Sequence, residues 1–140
     1  MILVFGGMTE GRIVTQVLDE SGKEYYYSTK GDLQQVDFVH GIRLTGAMTE
    51  EALIDFIQQN DIELVIDAAH PFAAVLHNTI GLATAQTGTP VIRYERVYPK
   101  KQEGIIECTS YDDMIEKLEA QPCRRLLALT GVNTIKPLKP

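Results

Sequence analysis

The chain begins Met1-Ile-Leu-Val-Phe-Gly-Gly-Met-Thr-Glu-Gly-Arg12, and the reading of this stretch decides the fold class. A short continuous apolar run, Met1 to Phe5, is the pattern of a strand buried on both faces. Ile13, Val14, Val17 and Leu18 then recur at helical spacing from Gly11 to Glu20, and Gly22 stops the helix. Between strand and helix lies a glycine turn. Gly6 and Gly11 have the separation of the outer glycines in G-x-G-x-x-G. In that fingerprint the first permits a tight turn and the last permits close helix–strand packing. The middle position is Met8, and the extra glycine is Gly7. Amides at the start of the helix would face an anion, Thr9 offers a hydroxyl, and Arg12 a cation for a phosphate. The plainer alternative is a βα turn with glycines for geometry only.

The same alternation runs along the chain. Strands are expected at Glu24–Ser28, Phe38–Leu44, Glu63–Asp67, Pro90–Tyr94, Gly104–Cys108 and Arg125–Leu129. Thr49 caps a helix with Glu50 and Glu51 at its positive end and Leu53, Ile54 and Ile57 on its apolar face. A further helix spans Phe72 to Gln86, and Ser110 with Asp113 forms a cap-like pair before Met114, Ile115 and Leu118. Strands separated by helices imply an α/β fold: a Rossmann-like, doubly wound, mostly parallel sheet flanked by helices. Residues 1–129 are expected to form that domain, and 130–140 to begin a truncated second domain or form a tail.

Bulk properties narrow the function classes. The formal charge of −6, from 13 basic and 19 acidic residues, argues against a general nucleic-acid binder, which needs a basic surface. No apolar run approaches a membrane span. The apolar run at the start is too short and lacks the basic flank of a signal peptide, so a cytoplasmic location is expected. Cys108 and Cys123 lack metal or redox spacing and read as reduced, buried thiols. His40, His70 and His77 show no ligand spacing, so no metal is expected.

Three further stretches carry chemistry. At the end of the second strand, where such folds meet the adenosine ribose, stand Ser28, Thr29 and Lys30, with Asp32 only later. Hydroxyls and a cation suit a 2′-phosphate, hence NADP, better than the acid that selects NAD; an ordinary polar loop is the alternative. Asp67-Ala-Ala-His-Pro-Phe72 follows a buried strand and places Asp67 and His70 on the ligand edge of the sheet. Pro71 suits a first helical turn. His70 is a proton donor or a cofactor contact, or a histidine that merely packs. Finally, Arg93, Arg96, Lys100 and Lys101 against Glu95 form a local basic patch in an acidic chain, fit to recruit a polyanionic small substrate or to serve as a solvated loop.

Together, "ILVFGGMTEGR", "LVIDAAHPFA" with downstream Asn78, "PVIRYERVYP" and the late "LLALTG" resemble the precorrin-6A reductase family of cobalamin (corrin) biosynthesis, in order and spacing over almost the whole chain. The resemblance implies NADPH-dependent reduction of one double bond in the precorrin-6A or cobalt-precorrin-6A macrocycle to give the 6B form. It implies that Gly6, Gly7, Met8, Thr9, Glu10, Gly11 and Arg12 line the nucleotide phosphates or nearby ribose, and that Ser28 and Thr29 sit near the adenosine. Asp67, Ala68, His70, Pro71 and Phe72 would border the nicotinamide and the reacting ring, with His70 and Asp67 as the catalytic pair. Arg93, Tyr94, Glu95 and Arg96 would be substrate-side or structural residues. Members have two α/β halves with the site between them, so a second half, in the same chain or a partner, is expected to complete the cleft. This chain departs from the usual pattern at Met8 and Ala69, where threonines are common, and at Leu76-His77. A non-catalytic NADP-binding domain working with a separate partner chain is the competing reading.

Overall fold

The computed structural model describes residues 1–32, 36–97, 103–121 and 125–129. The chain divides into two compact units, Met1–Tyr98 and Pro99–Pro140. In the first, the elements are β1 (Ile2–Phe5), α1 (Thr9–Glu20), β2 (Tyr25–Thr29), β3 (Gly41–Thr45), α2 (Glu50–Gln59), β4 (Leu64–Asp67), α3 (Ala74–Thr87) and β5 (Val91–Arg93). The five strands form one sheet in the order β3-β2-β1-β4-β5, and every pair is parallel. This is the doubly wound α/β arrangement read from the sequence. The chain winds outward from β1 through β2 to β3, then returns to lay β4 on the other side of β1. The switch point therefore lies between β1 and β4, where open α/β sheets bind ligands.

Strand alternation builds the two layers. Leu3 and Phe5 of β1 and Val65 of β4 pack with Leu53 and Ile57 of α2 and Ile80 and Ala83 of α3. Val4 points the other way and joins Tyr25, Tyr27 and Leu18 of α1. Leu3, Val4, Val65, Leu53, Tyr25 and Tyr27 are fully buried. Each such aliphatic side chain contributes roughly 1.5–3 kcal/mol through the area removed from water.

Several local expectations hold in detail. The Thr49 side chain accepts from the Ala52 amide at 3.2 Å, capping α2. α3 ends on Gly88, whose φ of 72° is the left-handed conformation that glycine adopts without strain. In the second unit, the Ser110 hydroxyl accepts from the Asp113 amide at 3.1 Å and opens α4 (Tyr111–Ala120), on which Met114, Ile115 and Leu118 are half-buried.

Other expectations are corrected. β3 begins at Gly41, not Phe38, because the Phe38 ring turns inward and packs edge-on to Tyr25 at 6.0 Å and tilted against Tyr27 at 5.2 Å. α1 begins at Thr9, two residues before Gly11, so Thr9 and Glu10 belong to the helix. Pro71 is not in the first helical turn. The Ala73 amide donates to the His70 carbonyl at 2.8 Å, which makes His70–Ala73 a turn with Pro71 at its second position, and α3 starts after it. Residues 105–108 and 125–129 carry no strand. An apolar run becomes a strand only where a neighbouring edge completes its ladder of hydrogen bonds, and among the described residues neither run has one. Cys108 is exposed, not buried, because the run 105–108 joins no sheet among the described residues that would cover it. Lys100, Lys101, Cys123 and residues 130–140 lie outside the described residues.

Candidate functional site

The parallel register aligns the carboxyl ends of four strands. Ser28 of β2 lies beside Phe5 of β1, Phe5 beside Asp67 of β4, and Asp67 beside Arg93 of β5. Above this row is a cavity of about 570 Å³. Its wall takes Gly6, Gly7 and Met8 from the turn after β1, and Ser28, Thr29, Lys30 and Gly31 from the end of β2. The loop after β3 adds Gly46, Ala47 and Met48, while Ala69, His70 and the start of α3 close the far side. The lining is mostly apolar with a few convergent polar groups, as in small-molecule sites.

The glycine turn is shaped by Tyr27. Its hydroxyl accepts from the Gly7 amide at 2.9 Å, and its ring lies against the backbone of Gly6 and Gly11. A Cβ on Gly6 would meet two ring carbons and the hydroxyl oxygen of Tyr27 at 2.3 Å, and one on Gly11 would meet the Tyr27 oxygen at 2.6 Å and the Gly6 Cα at 2.9 Å. The close helix–strand approach that Gly11 was read to permit is therefore present. Gly7 has a φ of +115° and nothing near its missing side chain, so it serves the chain reversal itself. Burial pushes the Tyr27 phenol up from its ordinary value, opposed by the Gly7 amide. The N-cap of α1 is Met8, which has no side-chain cap bond. The positive end of that helix thus meets the cavity without the Ser, Thr, Asp or Asn that usually occupies it.

Glu10, in the first turn of α1, is nearly buried and gripped by Arg96. The Arg96 Nε donates to Oε1 at 2.6 Å and Nη2 to Oε2 at 3.1 Å, a forked pair. Arg96, followed by the carboxylate's bond to its own backbone amide, holds the Glu10 carboxyl below the usual carboxylate range. Asp67 is likewise enclosed, with a side chain 5% exposed. Its Oδ2 receives Arg93 Nη1 at 3.1 Å and faces His77 Nδ1 at 2.7 Å, while Oδ1 accepts from the Ala69 amide at 3.2 Å. Arg93 also binds Glu95 through Nε and Nη2, at 3.0 and 2.7 Å. Its hydrogen bond to Glu95 and the nearby Asp67 charge hold this guanidinium protonated above its usual range.

His70 lines the cavity with an exposed ring. The Phe72 amide donates to its Nδ1 at 3.1 Å, so the neutral ring carries its hydrogen on Nε2. The Phe72 ring, 86% exposed, sits 5.3 Å from that imidazole.

Of the residues singled out in the sequence, Gly6, Gly7, Met8, Ser28, Thr29 and His70 meet in the cavity wall. Thr9, Glu10, Gly11, Arg12, Asp67, Ala68, Pro71, Phe72, Arg93, Tyr94 and Arg96 do not line it. Ala68 is buried with its amide on the Phe5 carbonyl, and the Tyr94 amide donates to the Asp67 carbonyl. Two residues at the site were passed over. Tyr27 reads as a strand residue, and only the parallel register brings it under the turn. His77 reads only as a histidine without metal-ligand spacing and as part of the Leu76-His77 departure, with no sign of its partners Asp67 and His70. Among the described residues no group of three or more His, Cys, Asp or Glu could hold a metal ion, and no helix is long and apolar enough to cross a membrane.

The profile of the family described as precorrin-6x reductase CbiJ/CobK matches residues 1–140. The chain belongs to that family. It is 26% identical over 141 residues to the cobalt-precorrin-6A reductase of Priestia megaterium, covering 97% of this chain and 54% of that protein. It is 33% identical over 104 residues to the precorrin-6A reductase of Rhodobacter capsulatus, covering 74% and 41% respectively. A solved structure of CobK precorrin-6A reductase matches 74% of this chain and 41% of its own, with a TM-score of 0.66 and 31% identity. The chain thus spans about half the length of these relatives. Membership fixes the broad setting as a reductase family of cobalamin biosynthesis and agrees with the α/β fold.

Proposed function

We propose that this chain is the nucleotide-binding part of an NADPH-dependent enzyme that reduces one double bond of the precorrin-6A, or cobalt-precorrin-6A, macrocycle to the 6B form. The observation that carries the reading is the cavity's place, at the β1/β4 switch point between the glycine turn, the end of β2 and His70.

The residues present fit the cofactor. A volume of about 570 Å³ lies in the range of small-molecule sites. Because the Gly7 amide is engaged by Tyr27, the phosphates fall to the first turn of α1, with Thr9 and Arg12 beside it. Ser28 and Lys30 supply donors suited to a 2′-phosphate, which favours NADPH over NADH, while the Thr29 hydroxyl donates to the Gly31 carbonyl at 2.6 Å and shapes the turn beside them. When bound, the dihydronicotinamide supplies a hydride.

The chain's own residues then orient and protonate. His70 presents Nε2–H toward the ring system; taking a proton from solvent to become the imidazolium, it gives the Nε2 proton as the ring is reduced and returns to neutral imidazole. Asp67 anchors the loop that carries His70, Ala68 packs beneath it, and Pro71 and Phe72 border the reacting ring. Arg93 and Arg96, with Tyr94, face the carboxylates of the tetrapyrrole. Each arginine exchanges a protein carboxylate, Glu95 or Glu10, for one of the substrate's. A second α/β half or partner chain closes the cleft, and the reaction runs in the cytoplasm.

The test is to supply NADPH and precorrin-6A to this chain together with the second half of a relative, and to follow NADPH absorbance and product mass. Formation of the 6B product supports the reading. Nucleotide binding with no reduction in any combination favours the non-catalytic NADP-binding alternative.

A further inference from the structure

His77 makes two side-chain contacts across the loop between β4 and α3. It lies in the first turn of α3, its amide on the Ala73 carbonyl at 3.0 Å. Its ring reaches back over the loop between β4 and α3. Nδ1 stands 2.7 Å from Asp67 Oδ2, and Nε2 stands 2.9 Å from the His70 carbonyl oxygen. Both partners are acceptors, so the ring ties Asp67 to His70 at both nitrogens when each carries a hydrogen. The side chain is 16% exposed and its carboxylate partner 5%, so water competes weakly for either bond.

The rest of the loop is held by what His77 holds. Asp67 Oδ1 accepts the Ala69 amide, and the His70 carbonyl also accepts the Ala73 amide at 2.8 Å. The His70 ring is itself pinned by the Phe72 amide. The backbone that aims the His70 imidazole into the cavity wall is thus set at both ends by one imidazole that does not line the cavity. Arg93 supports the same carboxylate from β5, but it does not reach the His70 carbonyl, so it cannot replace the second half of the tie.

We propose that His77 is a positioning residue: by bridging the Asp67 carboxylate and the His70 carbonyl, it fixes the loop that presents His70 to the bound nucleotide. The role of His70 toward the nucleotide rests on the function proposed above; the fixing of the loop does not.

The experiment uses the 140-residue chain with His77→Leu and His77→Gln. Leucine fills the space without donors, while glutamine restores an amide that can donate to both acceptors. Hydrogen exchange is read at the Ala69, Phe72 and Ala73 amides, with β1 and β2 amides as the control. His77→Leu is expected to speed exchange at the three loop amides about tenfold, with β1 and β2 unchanged, and His77→Gln to recover most of the protection. NADPH is then titrated while the His70 ring and the Gly7 and Ser28 amides are followed by NMR. The His70 response is expected to vanish in His77→Leu and return in His77→Gln, with the Gly7 and Ser28 responses kept. Unchanged loop exchange in His77→Leu, or equal loss across the whole sheet, overturns the proposal. So does a His70 response that survives in His77→Leu. If the unsubstituted chain shows no NADPH response at any residue, the nucleotide reading fails, and the exchange data alone decide the positioning role.

Discussion

Gly6 is the position at which the packing beneath the glycine turn can be weighed most directly. A methyl added there would stand 2.3 Å from two ring carbons and the hydroxyl oxygen of Tyr27. Carbon atoms pack at about 3.5–4.0 Å, so the overlap exceeds roughly 1 Å. The ring cannot swing aside. Tyr27 is fully buried, tilted against Phe38 at 5.2 Å, with its hydroxyl on the Gly7 amide. Overpacking a tight core costs typically 1–3 kcal/mol, and this overlap belongs at the upper end, about 3 kcal/mol. For a unit of this size that lowers Tm by roughly 12–24 °C. The partner change Tyr27→Leu is itself destabilising, by about 2–5 kcal/mol, because it leaves a cavity. It also removes the obstacle. The double variant should therefore be more stable than the sum of the single effects predicts, by at least about 1.5 kcal/mol. Urea denaturation followed by far-UV circular dichroism measures all four corners of the cycle, a signal that survives the loss of a tyrosine. A Gly6→Ala variant within about 0.5 kcal/mol of the unsubstituted chain, or an additive cycle, would refute the claim that Tyr27 dictates this glycine.

Three other outcomes follow from the same contacts. Glu10 has a folded-state pKa below its ordinary 4.5, so its pairing with Arg96 contributes stability above that value and loses it as pH falls through the depressed pKa. Acid denaturation should therefore steepen below about pH 4.5 and flatten in Glu10→Gln, read as Tm against pH. Asp67→Asn removes the charge that faces Arg93 and His77 in a buried setting; with Arg93 partly solvated, a loss of about 2 kcal/mol is expected in urea denaturation. Lys30→Ala should weaken NADPH binding several-fold while leaving NADH binding nearly unchanged, as measured by calorimetry; equal loss for both would remove Lys30 from the 2′-phosphate site.

The frame was legible because periodicity reports burial. All five strands of the sheet, and the caps at Thr49 and Ser110, stand within a few residues of where the pattern puts them. Residues 105–108 and 125–129 have the same apolar look yet form no strand, since side-chain pattern does not reveal whether a ladder partner exists. The sequence suggests a helix start at Pro71 where the structure has the turn His70–Ala73, because proline at a second turn position and proline at a helix start share one φ. At the site, the glycines, Ser28, Thr29 and His70 were legible from their place after strands. The charges were not. Glu10 and Arg96 are 86 positions apart and Asp67 and Arg93 are 26 apart, so their mutual pairing depends on strand order. For that reason the sequence leaves Arg93 and Arg96 as substrate-side or structural residues without naming Asp67 and Glu10 as their partners, and it does not show that Tyr27 lies under the glycine turn or that His77 spans Asp67 and His70.

The account's central claim is that the cavity between the glycine turn, the end of β2 and His70 is a nucleotide site selective for NADPH. The direct test is a residue-resolved NMR titration of the chain with NADPH and, separately, NADH. Saturable shifts at Gly7, Ser28, Thr29 and His70, reached at lower NADPH than NADH, are the predicted result. No saturable response to either nucleotide, or shifts confined to residues away from this cavity, would contradict it.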